Sequence, residues 1–578
     1  MAGKPPVKDG SPRPPLERGF GEPERPTLGL LLVAALSVVP RLVSIRVNPV
    51  NYDGYWHVFI ARNLPREMSS LAHPPLFPLL LRGADAIRHS RLSYVSISLV
   101  AGTVSVFLLG RALQKLCRRR ATPGLGALAL ALSPSAIVLS GVAESYMLCV
   151  ALVLAAFIAY LDLLGPGAPT PGARLAFATF ATLALLSHYA AGLFLAASLA
   201  VPPLLAALEP RFRDSWKRDL PARLAADFAT LLVPAAVAAG LLVFLARRWI
   251  HPLSHLPGFY FDPARETAGG FLARTLADTF RLFAPVFVAS RAVAGAALLA
   301  FAGAVVAIAV AADRRRPSFP PAATPAVLLV ALLLIEIGAA LRGWYPFGGA
   351  MRHQILLMVF GLLAVFVALD RILDRRSAAA RGTLTALAVA AIAGNWWGHF
   401  EHRWRPRPEP FSAERARFDR DFPQAREVHV DQFNLVGFFA QHHDWNWEFV
   451  GAVAGHPGGE RYRLTSGDRK LDLVAHRDLW NIDPLAPASY QALSAVADPD
   501  ASHRITLYAL HQFLPGATPP ADEELRHRIP TLARDAGLEV ERLDVFDANV
   551  FAEFRSPPRR GAPDAGSSSA KPAAVEGR

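Results

Sequence analysis

The chain is poor in charge: only 19% of its 578 residues are Asp, Glu, Lys or Arg, against about 25% in an average soluble protein. It is also poor in cysteine. Cys117 falls in a basic connecting segment and Cys149 in an apolar run, which excludes a disulfide framework. No complete glycine fingerprint and no P-loop occurs, so nothing points to a nucleotide-cradling unit. No early apolar segment with a small-residue cleavage site precedes the first long apolar run. Residues 1–26, rich in Pro and Arg, read as a disordered cytoplasmic tail, and the run after them as a retained span.

What is present is apolar. Hydrophobic residues make up 52% of the chain and mean hydropathy is +0.28. The excess lies in 27–398, whereas 399–556 has the composition of a soluble domain and 557–578 that of a disordered tail. A helix needs roughly 20 apolar residues to cross the hydrocarbon core. By that measure the runs near 28–44, 92–113, 122–140, 143–163, 173–187, 189–208, 224–246, 286–311, 322–341, 350–370 and 382–398 predict about eleven spans. The expected fold class is therefore mainly α: a polytopic membrane unit followed by an extracytoplasmic α/β domain.

The net charge of +13 could suggest nucleic acid, but the basic residues sit in short gaps between spans. With the N-terminal tail inside, the groups 111–120, 211–223, 314–316 and 371–381 all fall on the cytoplasmic side. No nucleic-acid partner is expected. Residues 46–91, the turn near Glu144, 247–285, 342–352 and the C-terminal domain then lie outside. In that domain 427–431, 449–453, 470–474, 504–509 and 540–546 read as strands, and 435–443 and 521–536 as helices.

The outer segments hold the residues able to do chemistry. Asn51-Tyr52-Asp53-Gly54-Tyr55-Trp56-His57 places a carboxylate among aromatic rings beyond the first span, where an acid needs a reason. Asp53 is a candidate catalytic residue, or else a solvated loop residue or the partner of Arg62. His73-Pro74-Pro75-Leu76 opens a Leu-rich stretch that fits a helix lying in the interface; His73 suits a helix cap better than a catalytic role. Glu144 either functions or snorkels toward water. Arg247, Arg248 and Arg352 suit lipid phosphates in general. His188 suits packing between spans. His251 and His255 have helical ligand spacing, but Pro252 and the lack of a nearby acid speak against zinc.

These segments, taken in order, resemble the GT-C membrane glycosyltransferases, and more narrowly the bacterial relatives of protein O-mannosyltransferases and of the lipid A aminoarabinose transferase. The resemblance rests on Asp53 near Tyr and Trp, the His73-Pro-Pro-Leu run, Glu144-Ser145-Tyr146, Ser187-His188-Tyr189, and Tyr345-Pro346-Phe347-Gly348-Gly349 followed by Arg352-His353. It implies transfer of a hexosyl or pentosyl group from a polyprenyl-phosphate donor to an acceptor hydroxyl of a lipid, glycan or protein. The reaction would occur at the outer face of the cytoplasmic membrane, inverting the anomeric centre. Asp53 would be the base, with Tyr55, His73, Glu144, Tyr345, Arg352 and His353 around donor and acceptor. Two departures stand out. Family members often carry Asp-Glu where this chain has Asp53-Gly54, and Ser145 replaces an Arg that often precedes the Tyr of the Glu/Tyr motif. No cofactor is implied with certainty, and a divalent metal is left open. The alternative class is a transporter or flippase without transferase activity, although no repeated halves or midplane polar clusters are seen. A membrane scaffold presenting the outer domain leaves the motifs unexplained.

Overall fold

The computed structural model describes residues 27–48, 50–64, 67, 74–165, 169–210, 212–214, 232–241, 260–283, 302–308, 321–347, 352–403, 411–453, 458–477, 482–496, 504–510 and 519–555, with a few single positions between. Helices are α1 (Leu28–Leu36), α2 (Val38–Val47), α3 (Tyr52–Arg62), α4 (Leu76–Ile87), α5 (Arg91–Leu116), α6 (Thr122–Ala131), α7 (Pro134–Leu139), α8 (Tyr146–Leu163), α9 (Pro171–Ser187), α10 (Ala190–Leu208), α11 (Leu232–Leu241), α12 (Ala268–Phe283), α13 (Thr324–Leu341), α14 (Ile355–Leu373) and α15 (Ala378–Arg403). Four more, α16 (Ser412–Asp421), α17 (Gln432–Gln441), α18 (Pro487–Val496) and α19 (Asp522–Asp535), belong to the C-terminal part.

Among the described residues, six helical segments are long and apolar enough to cross a membrane: α1 with α2, α5, α8, α10, α13 and α14. Each matches an expected span to within a few residues. Helices α6, α9 and α11 are apolar but shorter. The expected single span at 122–140 is in fact two helices. Ser133 caps α7 by accepting from the Ala136 amide, and Pro134 takes the first position, where its missing N–H costs nothing. The expected span 382–398 lies within the 26-residue α15, which is not among the six. Most of the expected span 286–311 lies outside the described residues.

One end of the bundle is fastened by Asp370. Its carboxylate accepts from the backbone amides of Arg118 and Arg119 at 2.9 and 3.1 Å and from the Thr122 hydroxyl at 3.0 Å. Arg371 donates to the Leu116 carbonyl at 3.1 Å. Two basic segments read as cytoplasmic thus meet at the same end.

The C-terminal part is a seven-stranded mixed sheet in the order β2-β3-β4-β1-β5-β7-β6, where β1 is Glu427–Asp431, β2 Asn446–Ala452, β3 Gly459–Ser466, β4 Arg469–His476, β5 Arg504–Ala509, β6 Glu539–Phe546 and β7 Asn549–Arg555. Strands β4, β1 and β5 are parallel, and the outer pairs are antiparallel. The five expected strands are present; β3, β7, α16 and α18 were not foreseen. Strand β7 escaped notice because its hairpin turns at Asp547 and Ala548, both with positive φ, where Asn-Gly would have signalled the turn. The sheet does not hang free of the membrane unit. A single apolar cluster joins Ile45, Val50, Tyr55, Val58 and Phe59 to Val428, Val430, Leu435 and Phe439. Helix α3 is the element they share.

Candidate active site

Asp53 belongs to a helix, not to the loop expected from the sequence. Asn51 caps α3, its side-chain oxygen accepting from the Gly54 amide at 3.0 Å, and Asp53 lies in the first turn. There the free amides of the helix start favour a negative side chain. Gly54 is what lets this turn approach the segment before α8. A Cβ at that position would lie 2.7 Å from Val50 Cγ1, 2.8 Å from Asn51 Oδ1 and 3.3 Å from Ala143 Cβ. The Asp-Glu pair of the resembling family therefore has no room here.

The second carboxylate comes from elsewhere. Asn51 Nδ2 donates to Glu144 Oε1 at 2.6 Å. Arg352 Nη1 donates to Glu144 Oε2 at 3.3 Å and to Asp53 Oδ2. Two carboxylates, from the α3 start and the α7–α8 turn, thus converge on one guanidinium from the α13–α14 connection. Glu144 is buried, with 3% of its surface exposed, whereas the Asp53 side chain is 44% exposed. Burial pushes the Glu144 carboxyl well up; Arg352 pulls it down, the neighbouring charge of Asp53 raises it further, and the Asn51 hydrogen bond lowers it. The arrangement pairs a solvent-facing carboxylate with a buried one.

The other expected site residues fall at different places. Tyr345 and His353 flank Arg352; the Tyr345 hydroxyl donates to the His353 carbonyl at 2.9 Å and shapes this connection. Tyr55 does not face the carboxylates. Two residues on from Asp53 is about 200° around a helix, and its buried ring packs 5.5 Å from His443 in the sheet domain. His73 and Gly348–Met351 lie outside the described residues, as do Arg247, Arg248, His251 and His255. Arg62 is not the partner of Asp53: it makes a forked pair with Asp85 at 2.9 and 3.1 Å and donates to the Tyr94 hydroxyl at 2.6 Å. His188 is buried against the Tyr146 ring at 4.7 Å, as expected of a packing residue.

Sequence reasoning missed Asn51 and Tyr52. Asn51 carried a signal, since Asn followed by a carboxylate in the next two positions is a helix start. It also missed Glu336, fully buried in α13, both of whose carboxylate oxygens lack a hydrogen-bond partner among the described residues. A carboxylate within a span is visible in sequence and stands as a functional candidate.

For a divalent metal the fit is incomplete: no group of three or more His, Cys, Asp or Glu side chains able to hold an ion occurs among the described residues. Asp53 and Glu144 offer two carboxylates, and their shared cation here is Arg352.

No family model and no curated protein matches the chain. Among solved structures it is similar to ArnT from Cupriavidus metallidurans bound to undecaprenyl phosphate, at 13% identity, over 92% of this chain and 99% of that one, with a TM-score of 0.53. The apo ArnT structure gives 13% identity over 72% and 84% at 0.46. The oligosaccharyltransferase AglB from Archaeoglobus fulgidus, in complex with an inhibitory peptide and a dolichol-phosphate, gives 13% over 72% and 64% at 0.45. The likeness to lipid-bound ArnT is one of fold and runs almost end to end, through the membrane helices and the sheet domain alike: this chain shares the GT-C fold of that structure.

Proposed function

We propose that the protein is a membrane glycosyltransferase that moves a sugar from a polyprenyl-phosphate donor to an acceptor hydroxyl at the extracytoplasmic face of the cytoplasmic membrane. The observation that carries this reading is the convergence of Asp53, Glu144 and Arg352 from three distant segments. The ArnT structure of like fold holds undecaprenyl phosphate, which is the donor chemistry a membrane site without a nucleotide unit requires.

The chemistry follows from the triad. A donor phosphate competes with Asp53 for Arg352 and takes up that hydrogen bond, since charge-assisted contacts to phosphate are strong and suit the planar guanidinium. Asp53, released from Arg352 and open to solvent, accepts the proton of the acceptor hydroxyl. The acceptor oxygen forms a bond to the anomeric carbon as the bond from that carbon to the phosphate oxygen breaks, and configuration inverts. The charge that returns to the leaving polyprenyl phosphate falls on Arg352. Buried Glu144, held by Asn51, keeps Arg352 in place through the cycle. The test is transfer by the purified full chain from undecaprenyl-phosphate-linked sugars to membrane extract, followed by mass spectrometry. New glycosylated product that appears only with active chain supports the reading; donor binding without product in any extract overturns it in favour of a lipid carrier.

A further inference from the structure

In open α/β sheets, ligands bind at the carboxyl ends of the parallel strands, where connections and helix starts converge. Here those ends are Asp431 of β1, His476 of β4 and Ala509 of β5. They are tied together. Asp431 accepts from the Asn434 amide at 2.6 Å, from Asn434 Nδ2 at 2.7 Å and from the Ile482 amide at 2.7 Å, while Asn434 Oδ1 accepts from the Leu510 amide at 3.0 Å. All of these groups are buried, so the start of α17 is a fixed platform.

The first turn of α3 occupies that platform. Tyr52 stacks on Phe433 with ring centroids 4.6 Å apart and planes 22° apart, and its hydroxyl donates to the Phe433 carbonyl at 3.1 Å. At the neighbouring strand end Arg477 donates to Glu67 at 2.7 Å, and Glu67 is only 2% exposed. Both contacts reach from a carboxyl end of the sheet to the first outer segment of the membrane unit. Tyr52 is the residue before Asp53, so fixing its ring fixes the rotation of the first helical turn and with it the direction of the carboxylate.

We infer that the C-terminal sheet domain is a positioning clamp for Asp53: its ligand-type crevice binds the start of α3 in cis, and Tyr52 is the positioning residue. The catalytic half of this inference rests on the role proposed for Asp53, but the docking does not. The clamp acts on the rate of the chemical step, because a displacement of about 1 Å in a reacting group can cost 10²-fold; donor affinity is set by Arg352 and is left unchanged.

The experiment uses the full chain in lipid nanodiscs, with Tyr52→Phe, Tyr52→Leu, Arg477→Glu, and Arg477→Glu combined with Glu67→Arg. Hydrogen exchange of the peptide covering 52–62 reads the docking, and native mass spectrometry with undecaprenyl phosphate reads donor-lipid affinity. Transfer from undecaprenyl-phosphate-linked sugars gives kcat and KM. Tyr52→Leu is expected to exchange about tenfold faster in α3 and to lose about ten- to 100-fold in kcat with KM and lipid affinity unchanged. Tyr52→Phe, which keeps the stack, retains most of both, and the double charge swap recovers what Arg477→Glu loses. Unchanged exchange in Tyr52→Leu overturns the docking. Faster exchange with unchanged kcat, or a loss confined to KM, overturns the positioning role. A wild-type chain that neither binds the lipid nor transfers sugar removes the functional reading, while exchange in the same variants still decides whether the sheet domain holds α3.

Discussion

At the scale of single residues the proposal turns on three side chains and one hydrogen-bond partner. Asp53→Asn keeps size and shape but cannot take a proton, so transfer should fall about 10²–10⁴-fold with donor binding intact. A residue that only faced solvent would leave turnover unchanged, and wild-type turnover in this variant would remove the base. Arg352→Ala should weaken donor binding by roughly 1.5–3 kcal/mol, the worth of a hydrogen bond to a charged group. Arg352→Lys should recover part of that loss, since the charge returns without the fork. Equal donor affinity in all three proteins would take Arg352 out of the donor site. Asp53 stands out in the sequence as a candidate because it is an acid just beyond a long apolar run, and Arg352 because of the motif it shares with Tyr345 and His353. Their pairing is not legible there, since 299 residues separate them and nothing local records which loops meet.

At the scale of elements, α3 is the part whose nature changed most between sequence and structure. The run Tyr52–Arg62 is neither long nor strongly amphipathic, and tertiary burial on two sides makes it a helix. A Cβ at Gly54 would press on Val50, on the Asn51 cap and on Ala143, so Gly54→Ala should destabilise the protein by about 1–3 kcal/mol through overpacking and lower transfer by shifting the first turn that carries Asp53. Gly54→Glu, which sets a second acid beside Asp53, should be worse. A thermal melt and a turnover equal to wild type in Gly54→Ala would show that the approach is not tight. In the sheet domain α17 supplies a second test. Burial holds the His442 ring near a pKa of about 4, below its ordinary 6.5, with Nδ1 set against the Phe438 carbonyl at 3.0 Å. The folded state thus favours the neutral ring. Its contribution is complete above pH 6.5 and is lost as pH falls toward 4, an amount of roughly 3 kcal/mol. Melting of the sheet domain in the full chain, followed by tryptophan fluorescence, should drop across that window. The drop should be shallower in His442→Gln; an identical slope would assign it to other groups.

At the scale of the whole molecule the proposal requires the site and the sheet domain to share one side of the membrane, opposite the basic segments held by Asp370. In a background with Cys117 and Cys149 replaced, a membrane-impermeant maleimide should label Ser412→Cys in intact cells. It should reach Ser377→Cys only after the membrane is opened; both positions are exposed. The reverse pattern would place the carboxylates in the cytoplasm and withdraw the extracytoplasmic donor. The same arrangement explains why a hydrophobic unit carries a soluble domain behind it: the apolar cluster that crosses from α3 into β1 and α17 makes the two one folded body at this end.

Composition and periodicity alone determined the membrane class and, among the described residues, six of the apolar segments long enough to span, five of seven strands and the short polar segments in which the acids and the arginine lie. These follow from local rules, since a run of apolar residues long enough to cross lipid has few other places to go, and alternation over a few residues reads a strand. What only the tertiary structure decided was the meeting of Asp53, Glu144 and Arg352, the supply of the second carboxylate by Glu144 rather than position 54, and the docking of Tyr52 on Phe433 across 381 residues. Such contacts depend on how helices and sheet pack in space, and side chains distant in the chain leave no periodic trace of one another.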